Sequence, residues 1–398
     1  MSHQYKKLGD VAKFIRGITY KPNDLVENFS ENSTVCMRTA NVQVNLKQDD
    51  LLSVPLSFVK IEEKFLIEGD LLVSTANSWN LVGKCCWIPK LDYSATAGGF
   101  ISILRANEEL LDKRYLYHWF NSSKTQQLAR GCGRQTTNIS NMDLGRCLDI
   151  KIPLPPLEEQ RRIASILDKA DELRQKRQQA IEKLDQLLQT TFIDMFGDPV
   201  SNPKGWELKA ISDISESRLG KMLDKKKQSA SKDQYKYLRN ANVQWFKFNL
   251  TNLLEMEFNE KERKICELKY DDVLVCEGGE PGRAAIWKEQ LQDCYFQKAL
   301  HRIRLDKSKI LPEYFVWLFW FYSKKGGFDD HITVATIAHL TGIKMKAMQI
   351  PIPPIDLQEK FKIRFLEIVN LKTKYESSST LQDNLFKSLQ NKAFSETL

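Results

Sequence analysis

Residues 152–163 read Ile152-Pro-Leu-Pro-Pro-Leu-Glu-Glu-Gln-Arg-Arg-Ile163. Pro153, Pro155 and Pro156 force an extended chain, and Pro156 can pre-set the turn into a helix. Glu158 and Glu159 then fall in the first turn, where the helix dipole favours negative charge. From Leu157 to Phe196 the chain contains neither Gly nor Pro, and Gly197 and Pro199 follow as a stop. Ile163, Ala170 and Leu184 recur at heptad position a, with Arg177 as a polar interruption there. Ile166, Leu173, Ala180 and Leu187 recur at d, while Leu167, Ile181 and Leu188 widen the stripe at e. The spacing predicts one amphipathic helix roughly 60 Å long, with its a and d rows as the seam.

The same joint recurs further along. Ile350-Pro-Ile-Pro-Pro-Ile355 repeats Ile152-Pro-Leu-Pro-Pro-Leu157, and Arg239-Asn-Ala-Asn-Val-Gln244 repeats Arg38-Thr-Ala-Asn-Val-Gln43. Asp271-Asp-Val-Leu-Val275 repeats Gly69-Asp-Leu-Leu-Val73, Gly282-Arg283 repeats Gly83-Lys84, and Ala335-Thr-Ile-Ala338 loosely repeats Thr137-Asn-Ile-Ser140. The matches keep their order and nearly constant spacing, so the chain is two copies of one unit of roughly 200 residues. After the second joint, Phe361, Phe365, Ile368, Tyr375, Leu385 and Leu389 form a comparable stripe, interrupted by the poor helix former Ser377-Ser-Ser-Thr380.

Before each joint lie short apolar runs with turn signals. Leu71–Ser74 and Val273–Cys276 read as buried strands, Ile101–Leu104 and Ile303–Leu305 as later ones, and Tyr115–Phe120 and Tyr314–Phe321 as a helix in each copy. The expected class is α+β: two tandem globular domains of mixed α/β structure, residues 1–156 and 199–354, followed by long helices within 157–198 and 355–398. Two helices duplicated with their domains most simply pair with each other. A parallel pair would bring both domains to one end, where they would collide, so an antiparallel coiled coil is expected.

Bulk properties narrow the function. The 398 residues are 42% hydrophobic and 28% charged, as for a packed soluble protein, with a net charge of +8. Residues 1–198 hold 26 Lys+Arg against 25 Asp+Glu, and the remainder 33 against 26, so nearly all the basic excess lies in the second half. That asymmetry fits an anionic partner such as nucleic acid, although a basic surface can also be merely solvated. None of the eight cysteines forms a Cys-x-x-Cys pair, which argues against a zinc module and a disulfide framework. The polar start Met1–Asp10 is no signal peptide. The longest apolar run, Tyr314–Tyr322, is about half a membrane span. A cytoplasmic protein with reduced thiols and no membrane contact is expected.

The joint Pro153-Leu-Pro-Pro-Leu-Glu-Glu-Gln-Arg-Arg-Ile163, the helix after it and the stop Phe196-Gly-Asp-Pro199 resemble the conserved regions of type I restriction specificity subunits. Half-length duplication of domain plus helix is also that family's architecture. The resemblance implies target-recognition domains that each read one half of a bipartite double-stranded DNA site. It implies helices that separate the domains and dock two modification subunits, which carry S-adenosylmethionine and methylate adenine. Restriction subunits add translocation and cleavage driven by ATP with Mg2+. No cofactor is implied for this chain. The second joint departs from the pattern, because Pro354-Ile-Asp-Leu-Gln358 has Leu357 where the first has Glu159, so docking need not be identical at the two helices.

No Asn/Asp-Pro-Pro-aromatic loop, Gly-x-Gly-x-x-Gly or phosphate-binding Gly-x-x-x-x-Gly-Lys-Ser/Thr loop occurs, so no catalytic site is expected. The alternative class is a coiled-coil scaffold or adaptor without a nucleic-acid role. Three features are candidates for DNA contact. The first follows each buried strand: Asn77, Ser78, Asn80 and Lys84 in copy one, and Glu277, Glu280 and Arg283 in copy two. Such side chains match base-edge donors and acceptors, although Asn and Gly also make ordinary turns. The second is the Gly-rich stretch with Arg130, Arg134 and Gln135, with Lys324 and Lys325 as its expected counterpart; a plain surface loop is the competing reading. The third is the run Lys225, Lys226 and Lys227, suited to phosphate but not to base reading. The repeated Arg38/Arg239 with Asn41/Asn242 is expected to hold the fold, since both copies keep it while the two should read different bases.

Overall fold

The apolar runs Leu71–Ser74 and Val273–Cys276 are inner strands of two sheets built alike. In the computed structural model, which describes residues 4–134, 139–222, 234–331, 333–334 and 338–395, the first sheet comprises β1 (Ala12–Arg16), β2 (Leu71–Ser74), β3 (Cys85–Trp87) and β4 (Ile101–Ala106). They pair antiparallel in the order β1-β4-β2-β3. The second comprises β5 (Ser215–Leu219), β6 (Val273–Cys276), β7 (Ala284–Ile286) and β8 (Leu300–Leu305), in the order β5-β8-β6-β7. Every residue of β2 and β6 is buried, which is why they read as unbroken apolar runs rather than alternating ones.

Alternate side chains of these strands enter different cores. Leu71 and Val73 pack with the helix α1 (Lys113–Phe120), while Leu72 packs with Val35 and Met37 of a small three-stranded sheet. That small sheet has one parallel and one antiparallel pairing in both copies, centred on Ser33–Met37 and on Gln234–Leu238. The repeated Asp has a structural reason. Asp70 receives Arg105 at 2.7 Å and the Ile67 N–H at 2.9 Å; Asp272 receives Arg304 at 2.7 Å and the Lys269 N–H at 2.7 Å. A buried carboxylate is tolerated only when paired in this way.

The long helices are α2 (Leu157–Phe196) and α4 (Ile355–Phe394), and α3 (Pro312–Lys325) is the second copy's counterpart of α1. The run Tyr314–Tyr322 lies in α3 and is apolar all round because it is a core helix. Among the described residues no helix is long and apolar enough to cross a membrane. All eight cysteines are free and buried, and burial pushes the thiols of Cys36, Cys86, Cys147 and Cys294 up to about 12.

Each joint is locked by one glutamine. The Gln160 amide donates to the carbonyls of Leu110 (3.0 Å) and Pro155 (2.8 Å), and its oxygen accepts the Asp112 N–H (2.8 Å). Gln358 repeats the pattern, donating to Lys309 (3.0 Å) and Pro353 (2.8 Å) and accepting from Leu311 (2.8 Å). Beside them Tyr115 donates to the Pro153 carbonyl and Tyr314 to that of Pro351, each at 2.9 Å. The extended Pro segments pair with the first strand of their own copy, Tyr5–Lys7 with Lys151–Pro153 and Glu207–Ala210 with Gln349–Ile352.

The chain divides into two compact units, Met1–Gln179 with Glu376–Leu398, and Ala180–Tyr375. In the first, Arg174 of α2 meets Asp383 of α4 at 2.7 Å and covers the Phe386 ring at 4.5 Å. In the second, Lys372 of α4 meets Asp185 of α2 at 2.6 Å, and Phe192 packs edge-on to Phe361. The start of α2 thus pairs with the end of α4, and the end of α2 with the start of α4: the helices run antiparallel. The seam differs from the expected a and d rows. Ile163, Leu167, Ile181 and Leu188 are buried, whereas Ile166, Leu173 and Leu187 of the d row are 42–57% exposed. The a and e rows therefore form the seam, with Arg174 and Arg177 falling among them. In α4 it is Phe386 that is buried, and Leu385 is exposed. The Ser377–Thr380 stretch stays helical, because tertiary packing overrides its weak propensity.

In the first unit α2 is also tied to α1. Asp168 accepts His118 Nε2–H at 2.7 Å and Arg114 Nε–H at 3.0 Å, and the Arg114 guanidinium lies 4.6 Å from the rings of Trp87 and Tyr117. Burial opposes the Asp168 charge, but the hydrogen bonds from His118 and Arg114 outweigh it and hold the carboxyl down at about 2. A carboxyl depressed on folding adds stability that is full above its unfolded value of 3.8 and is lost as pH falls toward 2. Acid titration of unfolding should show this loss in the wild type, about 1–2 kcal/mol after allowing for solvent screening, and not in Asp168→Asn. Replacing either Gln160 or Gln358 with Leu leaves two carbonyls and one N–H without their partner at the joint, and urea denaturation should register a loss of roughly 3 kcal/mol for each.

Candidate nucleic-acid interface

Beyond β2 the chain continues into the short strand Ala76–Asn77, which pairs with Ser140–Met142; that strand pairs in turn with Gly133–Arg134. The Met142 N–H also bonds the Thr75 carbonyl at 2.8 Å. Two stretches more than fifty positions apart in sequence, the loop after the buried strand and the Gly-rich stretch, thus form one three-stranded edge. Asn77 and Ser78 build its turn: Asn77 donates to Ser74 Oγ (3.2 Å) and accepts the Ser78 N–H (2.8 Å). Asn80 is exposed at the turn, and Lys84 reaches back to Gln43 Oε1 at 2.5 Å.

The second copy repeats the layout with other side chains. Gly278 bridges to His339, and the Leu340 N–H bonds the Glu277 carbonyl at 2.7 Å. His339 lies in the strand Ala338–His339, which pairs antiparallel with Thr333–Val334. These two strands match the pair Gly133–Arg134 with Ser140–Met142, in keeping with the sequence repeat of Thr137-Asn-Ile-Ser140 in Ala335-Thr-Ile-Ala338, while Lys324 and Lys325 match Arg130 at the end of a helix. Glu280 accepts Trp245 Nε1–H at 2.6 Å and Arg283 Nη1–H at 3.2 Å, and Arg283 Nη2–H donates to the Asn240 carbonyl at 2.9 Å. Beneath the loop lies His301, buried beside Glu277; desolvation lowers its affinity for a proton, partly offset by the Glu277 charge.

Three of the remaining candidates, Arg130, Lys324 and Lys325, sit on helices rather than loops. Arg130 is in the last turn of the helix Ser123–Gly131 and is half-buried. Lys324 and Lys325 end α3, with Gly326 as its left-handed cap. Lys324 is exposed, whereas Lys325 pairs with Asp198 at 2.6 Å. A Gly following a helix reads as loop in sequence but is a C-cap here. Arg134 lies in the hairpin strand, while Gln135, Lys225, Lys226 and Lys227 lie outside the described residues.

The repeated Arg-x-Ala-Asn-Val-Gln turn holds the frame. The Arg38 and Arg239 N–H groups bond Asn41 Oδ1 (2.8 Å) and Asn242 Oδ1 (3.0 Å), and the buried Asn amides donate to the carbonyls of Lys47 and Asn249 at 2.9 Å. Gln43 and Gln244 each cap the turn by donating to the Ala40 and Ala241 carbonyls at 3.0 Å. Sequence reasoning missed Gln43, Asn240 and Trp245 as neighbours of the candidate loops. The available signal was that this turn and Gly-Lys/Arg are duplicated together. The edge of the first copy therefore carries amide and ammonium groups and that of the second carboxylate, guanidinium and amide groups, types that bond base edges and phosphates. Among the described residues no group of three or more His, Cys, Asp or Glu could hold a metal ion.

A family model described as the type I restriction modification DNA specificity domain matches residues 3–183 and again 203–378. The chain is 24% identical to the type I restriction enzyme StySPI specificity subunit of Salmonella potsdam, over 96% of this chain and 86% of that one. It is 25% identical, with the same coverage of both chains, to the EcoKI specificity subunit of Escherichia coli K12. Among solved structures, the S subunit of a type I restriction–modification system from M. genitalium aligns over 98% of this chain and 96% of its own, with a TM-score of 0.59 at 14% identity. A chain from a study of assembly and conformational transition of the type I R-M system aligns over 100% of this chain and 98% of its own, with a TM-score of 0.58 at 16% identity.

The two loops differ in how tightly they are backed, and this is measurable. Gly83 and Gly282 both adopt left-handed backbone, at φ +83° and +84°, but a Cβ on Gly282 would lie 2.4 Å from the Phe328 ring, against 3.5 Å from Ala129 for Gly83. Gly83→Ala should cost only the backbone strain of about 1 kcal/mol. Gly282→Ala should cost at least twice that by thermal or urea unfolding, because the ring must also move.

Proposed function

The chain belongs to the type I restriction–modification DNA specificity family, and on that premise we propose that it is the non-catalytic, sequence-reading subunit of such a complex. Each globular domain reads one half of a bipartite double-stranded DNA target. The observation that carries this reading is the pair of matched edges with unmatched tips. One frame, pinned by Asn41 and Asn242, presents Asn77, Asn80 and Lys84 in one copy and Glu277, Glu280 and Arg283 in the other. A frame repeated for structure with tips that diverge is what two different half-sites require.

The helices set the spacer between half-sites and dock two modification subunits. Supporting this role, Ile166, Leu173 and Leu187 stand exposed on one face of α2 at heptad spacing, and Ile363, Leu366 and Leu371 stand exposed on α4. An apolar row left open beside a filled seam suits a further helix packing against it. S-adenosylmethionine, ATP and Mg2+ belong to the modification and restriction subunits. The purified chain should turn over neither S-adenosylmethionine nor ATP, and turnover by it would contradict a purely recognition role.

Two variants test the reading. Exchanging residues 201–354 for the matching domain of a relative should change one half of the methylated motif and leave the other half intact, as read by mapping methylated adenines. For the spacer, Arg174–Asp383 and Lys372–Asp185 place the middle of the pairing opposite Gln179 and Ser377. A heptad inserted after each of those residues lengthens both helices by about 10 Å, or roughly three base pairs. The half-sites should persist while the unread spacer grows, with spacers from about one to four base pairs longer screened because duplex DNA also turns with length. A variant that folds, binds its modification subunits and keeps the original spacer would show that the helices do not set the distance.

A further inference from the structure

Glu280 is held unlike any other candidate side chain. Trp245 Nε1–H donates to its Oε1 at 2.6 Å and Arg283 Nη1–H to its Oε2 at 3.2 Å, while Arg283 Nη2–H fixes itself on the Asn240 carbonyl at 2.9 Å. Asn240 closes the ring by donating to the Gly278 carbonyl at 2.9 Å. The carboxylate is 40% exposed, but the guanidinium behind it is only 17% exposed. Arg283 would have to abandon two hydrogen bonds to reach a base, whereas Glu280 already faces solvent with lone pairs to spare.

This arrangement belongs to the second copy. Lys84, the counterpart of Arg283, makes a tie to Gln43 at 2.5 Å, and the position matching Trp245 is Val44, which is 70% exposed. The network is therefore laid over the common frame rather than being part of it, as a specificity device must be. The Arg283 charge also offsets that of Glu280, which would otherwise be repelled by DNA phosphates.

We infer that Glu280 is the base-reading residue of the second domain and selects cytosine, while Arg283 and Trp245 are positioning residues that hold its carboxylate. A fixed, acceptor-only group complements an edge that presents a donor. The cytosine edge offers its N4 amino group, whereas the guanine edge offers only acceptors and thymine offers O4 and a methyl group. Adenine pairs its amino group with the N7 acceptor, which faces an acceptor-only carboxylate unfavourably.

This inference rests on the DNA-reading role proposed above, and one experiment separates the two. The full chain, in complex with its modification subunits, is used to select from duplexes in which the second half-site is randomised. The proteins compared are wild type, Glu280→Ala, Arg283→Ala, Trp245→Phe and the double variant Glu280→Ala/Arg283→Ala, each with its melting midpoint recorded. Wild type should require cytosine at one position, and Glu280→Ala should lose about tenfold in discrimination there. Trp245→Phe, which keeps the aromatic ring, and Arg283→Ala should relax that same position, and the double variant should discriminate no worse than Glu280→Ala alone. Arg283→Ala acting at a different position, additive effects, a guanine or thymine at the Glu280-sensitive position, or an unchanged profile in every variant would overturn the inference. A wild-type complex that selects no sequence would instead overturn the DNA-reading role itself.

Discussion

The fold depends on two buried glutamine amides. Gln160 and Gln358 each satisfy two carbonyls and one N–H at the place where an extended Pro segment becomes a long helix. A buried amide with all these bonds made is cheap, but one with any of them missing is costly, so the side chain tolerates essentially one geometry. It thereby fixes the direction in which each helix leaves its own domain. If the helices set a spacer as proposed above, they need that fixed exit, since a swivelling joint would blur any distance they set.

From the joint outward, the molecule separates frame from tip. The frame comprises the paired Asp70–Arg105 and Asp272–Arg304, the Asn41 and Asn242 turns, and Tyr115 and Tyr314 on the Pro carbonyls, and all of it is duplicated. The tips are not. Where the first copy ties Lys84 to Gln43, the second builds a Trp245–Glu280–Arg283 network. The joints differ as well: Asp168 binds Arg114 and His118 in the first unit, and the matching positions in the second are Leu366, Glu313 and Trp317. Duplication has kept what folding needs, and the divergence falls on the tips proposed above to read DNA.

How much of this was legible in sequence follows from how local each signal is. Helix α2 reads correctly from Leu157 to Phe196 because Pro, Glu and Gly mark its ends and nothing breaks it between. Strands β2 and β6 read correctly because a short, wholly apolar run has few other uses. The seam did not, because a stripe occupying the a, d and e rows does not reveal which two rows meet the partner. That is decided across the interface, where Arg174 finds Asp383 and Phe386. Arg130, Lys324 and Lys325 were read as loop because the glycines that follow them look like loop, although Gly131 is the last residue of a helix and Gly326 caps one. Trp245 and Glu280 are 35 positions apart, and no periodicity links them; only the folded chain brings them together.

In the proposed function, two copies of one frame read two different DNA sequences at a fixed separation. Genome-wide mapping of methylated adenine in a host carrying this chain with its modification subunits tests it most directly. The expected result is one motif made of two unlike specific halves separated by a constant unread spacer, absent when this chain is deleted. Methylation at an uninterrupted motif, at two identical halves, or at a site that survives deletion of the chain would contradict it.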